Sequence, residues 1–232
     1  MEENFKIPKL IHYCWFGKNK MLKLNLKCIE SWKRVLPDYE LRLWNEDNFD
    51  ITMNQFVKEA HEMKKWAFVT DYVRLYVLYN YGGIYMDTDV EVLRRLDPFL
   101  KHSAFTGFEN DKYIPTGIMG AEKGNEWIGY LLSYYENKKF ILENGLLATT
   151  PNTQIITELS KSWGLKPNNE YQVLKGDVHI YPSEYFCPIA YDSLKKNFTK
   201  NTYTIHHYSG SWLDGKTRIK LKIKKLLSLF GL

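Results

Sequence analysis

The chain has 232 residues, enough for one substantial domain, and 44% of them are hydrophobic, so it can bury a sizeable core. These values argue against an intrinsically disordered chain. The net charge of +5 has one main source, because residues 216–232 contain six Lys or Arg and no acidic residue. The rest of the chain is almost neutral, which argues against a nucleic-acid-binding surface spread over the body.

Cysteine spacing and the first residues bear on the cellular compartment. Cys14, Cys28 and Cys187 show neither paired spacing nor a CxxC motif, so we expect no disulfide framework and no zinc ribbon. The first residues lack a basic segment followed by an apolar one, and no apolar run reaches the roughly 18 residues of a membrane span. We therefore expect a cytoplasmic protein that does not span a membrane.

Strand and helix patterns alternate in the first part of the chain. Apolar spacing predicts a strand in 6–17, a helix that begins at 24 and stops near Pro37, and a second strand in 39–44. This order favours a parallel α/β sheet. Two further helices are predicted, and the second ends at a double glycine that is followed directly by the strand GGIYMDTDVEV.

The later part of the chain carries shorter elements without a linker between them. In order, the patterns predict strands at 102–109 and 113–123, helices at 126–141 and 150–164, and strands or loops at 178–188 and 203–212. We expect one α/β domain over 1–215 and a basic amphipathic helix over 216–232.

Two aspartates, Asp87 and Asp89, end the apolar strand GGIYMDTDVEV. If the strand continues, the period of two places both carboxylates on one face, opposite Ile84 and Met86. Like charges that close need a cation or strong donors between them, and a hard divalent ion such as Mn²⁺ or Mg²⁺ suits them. The alternative is an exposed turn in which the aspartates only stop the strand.

The preceding helix places Asp71 and Arg74 on the same face as Ala67 and Leu78. The ordinary explanation is an ion pair within the helix. Because the helix is otherwise apolar nearly all round, we expect it to be buried, and charges kept on a buried helix next to an acidic strand end are typical of a functional site.

The segment IHHYSGSW supplies candidate partners for the aspartates. Histidine can complete a metal shell that carboxylates begin, and Ser or Trp donors suit phosphate oxygens. Either His206 or His207 can play the first role, and Ser211 and Trp212 the second. The alternative is a histidine pair in a core or on a surface.

Together, IPKLIHYCWFG, SWKRVLPDYELRLWNED, AFVTDYVRLYVLYNYGGIYMDTDVEV and HHYSGSW resemble the DXD-containing sugar transferases of glycosyltransferase family 32. That family includes Golgi α-mannosyltransferases and bacterial capsule and lipopolysaccharide enzymes. The resemblance implies a Rossmann-like glycosyltransferase-A fold of class α/β, with a mixed, mostly parallel sheet. It also implies retention of the donor's anomeric configuration.

The resemblance further implies roles at the donor site. Trp15, with Cys14, lies where the first strand meets the nucleotide base. Asp71 and Arg74 match residues that contact the ribose and the donor sugar, and Asp87 matches an aspartate that contacts ribose or sugar. Arg74, Asp87 and Asp89 are the expected catalytic residues.

The resemblance also implies a metal centre. Asp89 matches the aspartate that ligates Mn²⁺ (or Mg²⁺), and His207 is favoured over His206 as the second ligand. Ser211 and Trp212 match the diphosphate-contacting end of the motif. The implied reaction moves a sugar from a nucleotide-diphosphate sugar, UDP-sugar favoured over GDP-sugar, to a glycan or lipid-linked acceptor, as in surface polysaccharide synthesis.

The basic tail bears on the acceptor. As a helix it carries its apolar residues on one face and its lysines largely elsewhere, which suits the surface of an anionic bilayer and a peripheral position on the inner face of the cell membrane. The alternative is a helix docked on its own domain. Two other function classes remain open: a metal-dependent phosphohydrolase, which does not explain Asp71 and Arg74, and a non-catalytic carbohydrate-binding protein, which needs no metal.

Overall fold

The computed structural model describes residues 4–191, 193 and 195–210. The basic tail helix predicted over 216–232 lies outside these residues, as do Ser211 and Trp212, so the predictions for them remain predictions. Within the described part of the chain, no helix combines the length and the apolar character needed to cross a membrane.

Nine strands occur in the described residues, seven in one sheet and two in a separate ribbon. In chain order they are β1 (Leu10–Cys14), β2 (Glu40–Trp44), β3 (Gly83–Met86), β4 (Val90–Val92), β5 (Ala104–Gly107), β6 (Ile118–Ala121), β7 (Gln172–Leu174), β8 (Val178–Tyr181) and β9 (Thr204–His206). The ribbon pairs β4 with β9 in antiparallel fashion.

The large sheet has the order β2-β1-β3-β6-β5-β8-β7. β1 is parallel to β2 and β3, and β5 is parallel to β8. β6 is antiparallel to both of its neighbours, and β7 is antiparallel to β8. Five strands therefore share one direction, which confirms the predicted mixed, mostly parallel sheet.

Six helices accompany these strands in the described residues. They are α1 (Lys23–Val35), α2 (Gln55–Glu62), α3 (Trp66–Tyr81), α4 (Glu126–Ser133), α5 (Asn152–Lys161) and α6 (Ser183–Phe186), with a 3₁₀ turn at Asp97–Phe99. The helix predicted over 126–141 ends at Ser133, and Asn137, further along, has a left-handed backbone with φ of 57°. β7 and α6 were not separate elements in the sequence pattern.

Alternation along β3 divides the core between the two faces of the sheet. Ile84 and Met86 pack on the face that also buries Trp32 of α1, while Tyr85 packs on the face covered by α3. The indole N–H of Trp32 donates to the Val90 carbonyl at 2.7 Å, which ties α1 to the start of β4.

The double glycine lets the chain turn sharply from α3 into β3. Gly82 and Gly83 have φ of 67° and 107°, values that glycine adopts readily. A Cβ on Gly83 would lie 2.5 Å from the Leu10 carbonyl oxygen of β1, which is backbone and cannot move aside. Glycine is therefore required here for both conformation and space.

We expect Gly83→Ala to destabilise the fold by about 3 kcal/mol or more, because backbone strain and a backbone collision add together. The matched control is Gly124→Ala, which also has a positive φ of 74° but no heavy atom within 4 Å of the added Cβ. It should cost only about 1 kcal/mol. Urea unfolding measures both, and equal losses would contradict the collision.

Candidate active site

Asp87 and Asp89 lie in a tight turn between β3 and β4. The Val90 N–H donates to the Asp87 carbonyl at 3.0 Å, which closes the turn, and the Asp87 N–H donates to the Gly117 carbonyl at 2.8 Å. The prediction that both carboxylates share one face required the strand to continue through the aspartates. The strand instead ends before them. The turn itself brings the two carboxylates together, at the carboxyl end of β3.

The side chain of Arg74, on α3, extends past the ring of Tyr85 to this turn. Its Nη2 lies 3.3 Å from an Asp71 oxygen and 3.5 Å from an Asp87 oxygen. Its Nη1 donates to the Thr116 carbonyl, and the guanidinium lies 4.8 Å from the centre of the Tyr85 ring. The predicted neighbours Asp71, Arg74 and Asp87 thus form one cluster, in which Arg74 is 4% exposed.

Asp71 is held from a second direction by α5. The Asn152 amide donates to an Asp71 oxygen at 3.1 Å, and the Tyr135 hydroxyl donates to the Asn152 oxygen at 3.3 Å. Burial raises the pKa of Asp71 to about 6, with the charge of Asp87 acting in the same direction and Arg74 acting against it. Asn152 was missed because an asparagine after Pro151 looks like an ordinary helix start.

Asp89 is buried and receives its own donors. One of its oxygens lies 3.2 Å from Nε2 of His206, and the other accepts the Ser209 N–H at 2.7 Å. Although burial acts in the opposite direction, the charge of His206 and these donors lower the pKa of Asp89 well below its usual range. Burial lowers the pKa of His206, but the Asp89 carboxylate outweighs it and raises that pKa well above the ordinary value.

The structure brings His206 to the aspartates, whereas the sequence favoured His207. β9 pairs with β4 in a register that sets His206 opposite Val90, next to Asp89. Because successive residues of an extended chain face opposite sides, only one histidine can face the turn. Nε2 of His207 instead lies 2.8 Å from Glu91. The geometry therefore favours His206 over the predicted His207 as the partner of Asp89, and metal binding by this pair stays a prediction.

Asp87, Asp89 and His206 fit a divalent metal ion. One ligand atom from each lies within 4.8 Å of the others. Two carboxylates and an imidazole suit Mn²⁺, and the carboxylates also suit Mg²⁺. A Cβ on Gly117 would lie 2.9 Å from the His206 ring and 3.3 Å from an Asp87 oxygen, so glycine keeps this space open. Gly117 is a second residue that sequence reasoning did not single out.

Cys14 and Trp15 lie at the carboxyl end of β1, beside β3. Because β1 and β3 are parallel neighbours, both residues share the sheet edge that carries Asp87. Burial raises the pKa of the Cys14 thiol well above its usual value, so the thiol stays neutral. The Trp15 indole is partly exposed and donates to the Asn19 carbonyl at 2.6 Å.

Comparison with known protein families gives a match that covers the site at the carboxyl end of β3. Residues 23–106 match the family model described as the glycosyltransferase sugar-binding region containing DXD motif. The matched segment holds Asp71, Arg74 and both aspartates of the turn. This segment of the chain is therefore similar to the DXD-type sugar-binding region of glycosyltransferases, which confirms the predicted resemblance.

Individual relatives agree with this class. The chain is 32% identical over 137 residues to inositol phosphoceramide mannosyltransferase 3 of Schizosaccharomyces pombe, a match that covers 53% of the chain and 35% of that protein. It is 24% identical over 220 residues to an uncharacterized glycosyltransferase, L373, of Acanthamoeba polyphaga mimivirus, covering 89% and 84% of the two chains. The chain thus matches about a third of the fungal protein's length.

A solved structure shows the same fold. The PaToxG glycosyltransferase superposes with a TM-score of 0.50 at 18% sequence identity, covering 67% of this chain and 68% of that chain. The likeness confirms the expected glycosyltransferase-A type of α/β fold.

We expect His206→Ala to weaken Mn²⁺ binding by at least about tenfold, since even residues that only support a ligand typically contribute 10–100-fold. His207→Ala is the matched control and should bind Mn²⁺ nearly as the unmodified chain does, because His207 contacts Glu91 instead. The electron paramagnetic resonance signal of free Mn²⁺ measures both affinities. A larger loss in His207→Ala would restore the sequence-based ligand choice.

Proposed function

We propose that this chain transfers a sugar from a nucleotide-diphosphate sugar to a hydroxyl group of a glycan or lipid-linked acceptor. The observation that carries the proposal is the meeting of two charged clusters at one sheet edge. Asp71, Arg74 and Asp87 form the first, and Asp89 with His206 forms the second. The whole reaction remains a proposal, because the match to the fungal relative covers only 35% of that protein.

The first cluster suits a sugar and its ribose. Arg74 is buried yet stays charged, because burial, which lowers its pKa, is outweighed by Asp87, Tyr85 and Asp71, which raise it. A guanidinium and two carboxylates offer charge-assisted hydrogen bonds to hydroxyl groups. Arg74 is already aligned by the Thr116 carbonyl, so the cluster loses little freedom when a donor binds.

The second cluster suits a metal ion and a diphosphate. Asp89 and His206, together with Asp87 of the first cluster, would hold the ion, which when bound would neutralise charge on the diphosphate. Asp89 is fixed for this by the Ser209 N–H, and its own carbonyl accepts the His207 N–H at 3.0 Å. Ser211 and Trp212 remain proposed diphosphate donors.

The catalytic contribution follows from where charge develops. When the bond at the anomeric carbon breaks, negative charge grows on the leaving diphosphate and positive charge on the sugar. Asp87 and Asp71 lie on the proposed sugar side, where carboxylates favour the positive charge. We propose retention of configuration by same-face attack of the acceptor hydroxyl, and we assign no enzymatic nucleophile.

The acceptor is proposed from the relatives. The fungal relative is named for mannosyl transfer to an inositol phosphoceramide. We propose a hexose donor and a lipid-linked acceptor of related chemistry, which agrees with the proposed membrane-facing tail.

Incubation with UDP- and GDP-hexoses, Mn²⁺ and a ceramide-linked or oligosaccharide acceptor should release nucleoside diphosphate together with a glycosylated product. Asp89→Asn should lower turnover by at least about a hundredfold, which corresponds to about 2.7 kcal/mol of barrier. Asp47→Asn, at a carboxylate 76% exposed on the surface, is the matched control.

Three outcomes would overturn the proposal. Full turnover in Asp89→Asn removes the metal role. Phosphate release without sugar transfer favours a phosphohydrolase. Carbohydrate binding without nucleotide release from any donor favours a binding protein.

We expect Asn152→Ala to raise the donor KM about tenfold, since removing a hydrogen bond to a charged group costs about 1.5 kcal/mol or more. The maximal rate should fall less, because Asn152 acts through Asp71. Gln154→Ala, an exposed position on the same helix, is the control. A folded Asn152→Ala chain with unchanged donor KM would contradict the role of Asp71 in donor binding.

A further inference from the structure

A second group of side chains that could ligate a metal ion lies at the amino ends of β5 and β8, on the opposite side of the sheet from the turn that holds Asp87. His102 comes two residues before β5, Asp177 comes directly before β8, and His179 is the second residue of β8. β5 runs in the same direction as β3, so residues before β5 lie at the edge away from the carboxyl end of β3. A four-residue strand spans about 13 Å, which keeps the two groups apart.

The three side chains converge on one point. One ligand atom from each of His102, Asp177 and His179 lies within 4.8 Å of the others. Nε2 of His179 is 2.8 Å from an Asp177 oxygen. The two imidazole rings stack with their centres 3.5 Å apart and their planes 20° apart.

Each histidine is also held through one ring nitrogen by a tyrosine. The Tyr171 hydroxyl lies 2.8 Å from Nδ1 of His179, and the Tyr181 hydroxyl lies 2.8 Å from Nε2 of His102. In metal centres, a hydrogen bond at one imidazole nitrogen fixes the ring so that the other nitrogen can bind the ion. For His179, the remaining nitrogen is the one that faces Asp177.

Asp177 is arranged to serve as a one-oxygen ligand. Its Oδ2 receives the Lys6 ammonium and the Ser103 N–H, each at 2.9 Å, while its Oδ1 faces His179. The side chain is 42% exposed, so solvent and ions can reach the group.

We propose that His102, Asp177 and His179 form a second metal site that binds a Zn²⁺-class ion and links the segment before β5 to β8. Two imidazoles and one carboxylate are the three-protein-ligand set that zinc accepts, with solvent in the fourth position. The group differs from Asp87, Asp89 and His206 in having one carboxylate instead of two, which favours zinc over harder ions.

The test uses the full chain with His206→Ala, which removes a ligand of the first centre. Titration with Zn²⁺ against a chromophoric chelator should show one bound ion, and adding His179→Ala should abolish it. Tyr171→Phe on the same background keeps all three ligands and should weaken binding 10–100-fold. His61→Ala, a histidine paired elsewhere with Glu46, is the matched control and should leave binding unchanged.

Co²⁺ provides an independent readout on the same chains. The His206→Ala chain should give the visible absorption of four-coordinate cobalt without a thiolate-to-cobalt band, which separates this site from the free cysteines. No Zn²⁺ bound by His206→Ala, or binding that survives His179→Ala, would overturn the proposal. So would a thiolate band that accounts for the bound ion.

Discussion

The buried guanidinium of Arg74 is the constraint on which the rest of the site depends. A charge that is 4% exposed is costly unless it is paired, and removing one partner of such a pair typically costs about 3–5 kcal/mol. Asp71, Asp87 and the Thr116 carbonyl meet this requirement from three different segments. The helix α3, the turn after β3 and the segment that leads into β6 are therefore fixed relative to one another by one side chain.

Because these segments are fixed relative to one another, the turn after β3 can hold its carboxylates in place for a ligand. β3 is held in the core through Ile84 and Met86, so the turn that follows it does not shift when charges gather there. Beyond the turn, Trp32 and Ser31 of α1 bond to the backbone of β4, and β4 in turn sets the register of β9. This register delivers His206 to Asp89. The site is thus assembled from the first and last parts of the described chain around a single rigid strand.

The negative charges of the two clusters are compensated by different partners. Arg74 neutralises part of the charge of Asp71 and Asp87, while Asp89 has His206 and a backbone N–H. With His206 neutral, the edge would carry excess negative charge, which a divalent ion compensates. The proposed zinc site at the other edge has no comparable excess, since Lys6 already offsets Asp177.

Local sequence patterns are sufficient to predict those features that depend only on neighbouring residues. The period of two located Ile84 and Met86 in the core, and the apolar surroundings of Asp71 and Arg74 indicated a buried charged face on α3, because these patterns depend only on neighbouring residues. The family resemblance rested on those same local motifs. Which histidine lies beside Asp89 depends on how β9 aligns with β4, more than a hundred residues away in the chain, so only the fold shows that it is His206. The fold likewise brought Asn152 to Asp71 across 81 residues and His102 to Asp177, contacts that no local period encodes.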